Sequence, residues 1–266
     1  MVSTAWLLIS TVAFRPYVFI FLAMYLAASV YKVGPKKTAL FTLSAWFIAY
    51  IAEFSSVRNG IPFGLYHYIP STTDRELWIF GVPFMDSLSF TFLSYASWTT
   101  ARALISPSTG RGIFYKLEDD RLIGWRDERF SPGVIILGAL LLMLLDVVVD
   151  PLSLRGDRWF LGKIYYYPVP GVYYGVTIAN FIGWFIVGLL TLTVWGVIDR
   201  RVKGLYVLGG IPTIDLWGPA LYFIVIVFNL FMTFWIGEHQ LGWAGIFITL
   251  PLATFLLLRV SGAGRR

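Results

Sequence analysis

The sequence predicts an all-α, polytopic membrane helix bundle with about seven transmembrane helices. Three observations predict it. Hydrophobic residues make up 58% of the chain and charged residues 14%, against ~25% charged in a soluble domain. Seven apolar stretches each approach the ~20 residues a spanning helix needs. Lysine and arginine fall mainly on one side of those stretches. No run of strict alternation supports a β-barrel. Short connections make the whole of residues 1–266 one transmembrane domain.

Taken in order, the first stretch covers roughly residues 5–31. It lacks the basic start and small-residue cleavage site of a signal peptide, so it reads as a retained helix. Pro16 removes a backbone donor and is expected to kink it at Arg15-Pro16. The next stretches run roughly over 38–57, 79–105 and 133–150, the last expected to end at Pro151. Three more follow at roughly 172–198, 214–236 and 241–259. The polar stretch 106–131 reads as a solvated connector. A short interfacial helix burying Ile113, Phe114, Leu117, Leu122 and Trp125 is the competing reading. Loops 58–78 and 151–171 are rich in glycine, proline and aromatics. They read as an interfacial belt or as a lid over a site opening within the membrane.

The net charge of +6 is a membrane signature rather than a nucleic-acid one. Lys32, Lys36, Lys37, Arg102, the basic residues of 106–131, Arg200, Arg201, Lys203, Arg259, Arg265 and Arg266 share one side. Arg58, Arg75, Arg155, Arg158 and Lys163 lie on the other. The positive-inside rule then places the N-terminus outside and the C-terminus in the cytoplasm. The absence of cysteine excludes disulfides, thiolate nucleophiles and cysteine-ligated metals. His67 and His239 are the two histidines and read as interfacial polar contacts, so no metal site is expected. A retinal-binding bundle is excluded too, because the seventh stretch, LGWAGIFITLPLATFLLLR, has no lysine.

Glu53, Asp86, Asp146 and Asp150 lie inside or at the ends of the spans. Ionisable groups there are costly and mark function by default. The topology puts all four toward the outer face, with Asp86 about two turns, or ~12 Å, below the start of its helix. Asp146 and Asp150 are i and i+4 and share a helix face. Asn180, Asn229 and Glu238-His239 fall in the same half. A purely structural reading gives Asp150 a helix-end role and pairs Glu53 with Arg58. Three chemistries stay open: proton donation to an alkene, with aromatic faces holding the cation; Mg²⁺-diphosphate binding by Asp-x-x-x-Asp; and ion relay.

Three strings carry a family resemblance. They are PFGLYHY at 62–68 followed by Gly81-Val82-Pro83, LDVVVDPLSLRGDRWF at 145–160, and PGVYYGVTIANFIGW at 170–184. With Glu53 and Arg58-Asn59-Gly60 they cover roughly residues 53–184, and they resemble the CruF-type carotenoid biosynthesis membrane proteins, the carotenoid 1,2-hydratase and bisanhydrobacterioruberin hydratase family. The resemblance implies a cofactor-free hydratase that adds water to the terminal 1,2 double bond of an acyclic carotenoid end group. Its substrate is then a lipophilic polyene or isoprenoid taken from the bilayer of the cell membrane. It supports Glu53, Tyr66, Tyr68, Asp146, Asp150, Tyr173, Asn180 and Trp184 as site residues. Arg58, Asn59, Phe63, Trp159 and Tyr174 complete the expected substrate-binding set. Asp86 departs from the family pattern, which is expected to be apolar or aromatic there. On this reading the Asp146–Asp150 pair protonates the alkene, and Tyr66, Trp159, Tyr173 and Trp184 flank the cation. Water held by Glu53 or Asn180 captures it. A cyclase or isomerase shares the first step. A Mg²⁺-dependent prenyltransferase and a non-enzymatic carotenoid carrier compete with this reading.

Overall fold

The computed structural model describes residues 3–117, 128–202 and 213–262. Among the described residues there are eight α-helices: α1 (Thr4–Phe14), α2 (Pro16–Val33), α3 (Pro35–Asn59), α4 (Phe84–Ile105), α5 (Pro132–Ser153), α6 (Ile178–Arg201), α7 (Ile214–Trp235) and α8 (His239–Ser261). Six of them, α2, α3 and α5 to α8, are long and apolar enough to cross a membrane. With α4 they make the seven long helices of an all-α membrane bundle. Three short antiparallel ribbons decorate its ends: β1 (His67–Tyr68) with β6 (Tyr165–Tyr166), β2 (Trp78–Ile79) with β3 (Val82–Pro83), and β4 (Ser108–Thr109) with β5 (Lys116–Leu117).

Helix α4 is the hub, packing on α2, α3, α5 and α7. It is less apolar than the others because almost none of it meets lipid: Ser87, Thr91, Ser94, Ser97, Thr99 and Thr100 are all buried. Small polar residues suit helix contacts in a membrane, where close approach replaces the hydrophobic drive. The threonine hydroxyls turn back on their own helix, as Thr91 to the Leu88 carbonyl at 2.7 Å and Thr100 to that of Ala96 at 2.7 Å. The crossing with α7 needs a glycine, since a methyl on Gly218 would come within 2.1 Å of Thr99 Oγ1.

Four sequence expectations change. The kink at Arg15-Pro16 is a full break between α1 and α2, because the Arg15 side chain is wholly buried and bound elsewhere. The third stretch starts at Phe84, not near Trp78. Its first apolar residues fold as the β2–β3 ribbon, so Asp86 lies in the first helical turn rather than two turns down. Helix α5 runs through Pro151 to Ser153, since a proline this close to the end removes only one ladder donor. Helix α6 starts at Ile178, where the Thr177 side chain caps it by accepting from the Asn180 amide. In the connector, residues 112–114 form one 3₁₀ turn. Leu117 is buried with its amide on Asp215, and Phe114 is exposed. Leu122 and Trp125 of the interfacial-helix reading lie outside the described residues, as do Lys203, Arg265 and Arg266.

Buried ion pairs tie each end of the bundle. Arg15 donates to Glu76 Oε1 at 2.6 Å and Oε2 at 3.1 Å, and to the Leu161 carbonyl. This fastens the α1–α2 break to both outer loops. At the other end Asp199 accepts from Lys37 at 2.6 Å and forms an ion pair with Arg129 at 3.0 Å, and Asp215 pairs with Lys32.

Candidate active site

The site is built outward from α5. Asp146 and Asp150 sit one turn apart on the face turned to α6. Asn180, in the first turn of α6, reaches both. Its Nδ2 donates to Asp146 Oδ2 at 2.5 Å and to Asp150 Oδ2 at 3.2 Å. The threonine cap fixes the start of α6, and so sets which residue of that turn faces α5. Asp146 is 1% exposed, and its second oxygen, Oδ1, is buried with no hydrogen-bond partner. A buried orphan oxygen is costly, which makes Oδ1 a candidate to contact a molecule in the cavity.

Asp150 is saturated by comparison. It accepts from the Tyr165 hydroxyl and, at 3.0 Å, from the Tyr167 hydroxyl. The period of two along extended chain puts both rings on one face. Across the β1–β6 ribbon, Tyr66 and Tyr68 repeat the spacing. Tyr66 meets Tyr165 edge-on at 5.8 Å and Tyr167 at 6.1 Å. The intervening His67 and Tyr166 pair with each other at 5.7 Å and lie outside the cavity lining. Burial, and then the Asp150 carboxyl, push the Tyr165 and Tyr167 hydroxyls far above the ordinary tyrosine range. Burial and then Glu53 do the same for Tyr66 and Tyr68. All four hydroxyls therefore stay protonated.

The opposite wall comes from α3 and α4. Glu53, near the end of α3, is buried and accepts from Ser87 Oγ at 2.6 Å. Asp86 lies one residue before Ser87. Below them Phe90 stacks on Trp184 at 4.1 Å and 17°, with Phe63 against both. Tyr17 of α2, Trp159 and Phe228 of α7 close the remaining side. The half-open cavity between these walls is about 160 Å³, the size of one that accepts a benzene ring. It is lined by all four carboxyls, Asn180, Asn229 and aromatic rings, and by no lysine, arginine or histidine. Among the described residues no three His, Cys, Asp or Glu side chains are placed to hold a metal ion.

Of the residues singled out in the sequence, Glu53, Phe63, Tyr66, Tyr68, Asp86, Asp146, Asp150, Trp159, Asn180 and Trp184 line this cavity. Four expected site residues do not. Arg58 is exposed, stacks over Phe54 at 3.5 Å and donates to the Phe54 and Phe80 carbonyls. It makes no ion pair with Glu53. Asn59 is exposed and uses its Oδ1 to accept from the Ile61 amide and Ser55. Tyr173 packs on Tyr174 and Phe181 outside the cavity, and the Tyr174 carbonyl accepts from Arg155. Both tyrosines belong to a tight loop bridged at Gly171–Gly175, which turns their rings away from α5. His239 packs on Phe234, while Glu238 bonds Arg155 and Arg158. Sequence reading missed Tyr17, Ser87, Tyr165, Tyr167 and Phe228. Only the two tyrosines carried a signal, in the alternation of YYYP at 165–168 that repeats YHY at 66–68.

Fold and site together define a polytopic membrane protein with an acidic, aromatic-walled cavity under a tyrosine lid. The family described as carotenoid biosynthesis protein matches residues 14–259. The chain belongs to that family and has a role in carotenoid biosynthesis. No curated protein and no solved structure matches it.

Proposed function

We propose that the protein is a hydratase of the cell membrane that adds water across the terminal 1,2 double bond of an acyclic carotenoid or similar isoprenoid end group. One observation carries the reading: the Asp146–Asn180–Asp150 constellation leaves one buried carboxyl oxygen, Asp146 Oδ1, without a partner at an apolar cavity.

The chemistry balances without a redox partner. Asp146, protonated, gives its proton to the less substituted alkene carbon, and the π pair forms the new C–H bond. A tertiary cation is left facing Phe90, Trp184 and Tyr66, whose ring faces stabilise positive charge. Asn180 and the two tyrosines hold Asp150 and orient Asp146. Water placed by Glu53, itself anchored on Ser87, attacks the cation. The oxonium returns its proton to a carboxylate, so the net change is one water added and the acid restored. The lack of basic residues on the lining weighs against a diphosphate substrate, since diphosphate recognition leans on arginine and lysine.

Expression in a lycopene-producing bacterium, with pigment mass analysis, tests this. A gain of one or two waters that disappears in Asp146→Asn supports it. Unchanged mass with altered retention replaces hydration with cyclisation or isomerisation. Unchanged pigment from well-folded protein overturns it.

A further inference from the structure

The cavity is far too small for a long polyene, so the rest of any such substrate lies elsewhere. A second, shallow groove runs along the lipid-facing side of α7. It is lined by Phe223, Ile224, Val227, Phe228 and Phe231, and is almost wholly apolar. Ile224, Val227 and Phe231 are strongly exposed. From Ile224 to Phe231 it spans about 10 Å of helix. Phe228 belongs to both spaces. Its ring stacks on Tyr17 at 5.4 Å and 18° and is held edge-on by Phe21 at 5.6 Å. All three rings lie at the seam between α2 and α7. Neighbouring Asn229 faces the acids, so one helical step carries the wall from lipid to carboxyl.

Resting on the hydratase reading, we infer that the α7 groove binds the polyene tail and that Phe228 is the gate through which the end group passes from bilayer to acid. The occupant is one apolar chain, continuous with the end group in the cavity.

The test uses full-length protein in phosphatidylcholine nanodiscs carrying dilute lycopene. The photo-crosslinking residue p-benzoylphenylalanine is placed at Val227, and separately at Leu43, which is equally lipid-exposed on α3. Adducts are read by intact mass. Lycopene adducts enriched about tenfold at position 227 over position 43, displaced by an excess of an acyclic polyene of different mass, are expected for tight local burial of an apolar chain. Equal yields at the two positions, or lipid adducts alone, overturn the groove. As a second readout, Phe231→Trp and Ile224→Trp should raise KM for lycopene about tenfold with kcat held, the pattern of lost uniform binding. An unchanged KM overturns the groove as well. Enriched adducts without hydrated product would sink the hydratase reading and leave the groove standing. Hydrated product without enrichment would do the reverse.

Discussion

Asn180 binds Asp146 at 2.5 Å across the α5–α6 contact, and the same amide nitrogen reaches Asp150 at 3.2 Å. One donor group thus sets two carboxyls that differ in every other respect. Asp150 is held by two tyrosines, while Asp146 keeps an oxygen free toward the cavity. On the proposed hydratase reading, this asymmetry makes Asp146 the proton donor and Asp150 its support.

Asp146→Asn should lower hydration on the order of 10²–10⁴-fold, the range for loss of a general acid. Asp150→Asn should cost less, because Asp150 positions rather than donates. Product yield per folded protein, measured by liquid chromatography and mass spectrometry, checks the order. Equal losses would remove the assignment.

Asn180→Ala strips Asp146 of its one partner. It should destabilise the protein by about 1–3 kcal/mol, the cost of an unsatisfied buried polar group, and reduce turnover. Thermal unfolding in detergent beside the product assay reads both. A variant as stable and active as the parent would show that the bridge is incidental.

Glu53→Gln should separate protonation from capture. In D₂O the variant should still place deuterium on the less substituted carbon of the terminal double bond in recovered polyene, while hydrated product falls. Loss of deuterium along with product would make Glu53 part of the acid instead.

The buried tyrosines give a pH signature. Their hydroxyls are raised above the ordinary value near 10. Above that pH the unfolded chain therefore sheds protons that the folded chain keeps, and the folded state binds more protons. Stability must then fall as pH rises past about 10. Melting curves from about pH 8 to about pH 11 should show the fall, and Tyr165→Phe with Tyr167→Phe should flatten it. No change of slope in the double variant would refute the link.

Arg15 and Glu76 are 0% and 1% exposed. Arg15→Met alone leaves an unpaired buried carboxylate and should cost about 3–5 kcal/mol. Arg15→Met with Glu76→Leu should recover much of it. A double variant no better than the single one would mean that the Leu161 carbonyl contact carries the anchor.

Much of the site was legible because helix geometry is local. Spacing of four puts Asp146 and Asp150 on one face in any α-helix, and apolar length announces all seven long helices. The start of α4 was misplaced because Trp78–Pro83 is as apolar as a span, and only cross-chain pairing makes it a ribbon. Tyr173 and Arg58 looked equally fit for the site as Tyr66. Their side chains turn away because a loop bridge and the Phe54 ring hold them.

By itself the sequence determined the bundle and the aspartate pair, since each follows from hydrophobic length or helical period within one segment. Tertiary structure alone decided that Ser87 meets Glu53, that Asn180 joins the two aspartates, that Glu76 neutralises Arg15 and that Phe228 lines both the acid cavity and the α7 groove. Those partners lie on different elements, and which pairs meet depends on how the helices rotate and pack around α4, a property no single segment contains.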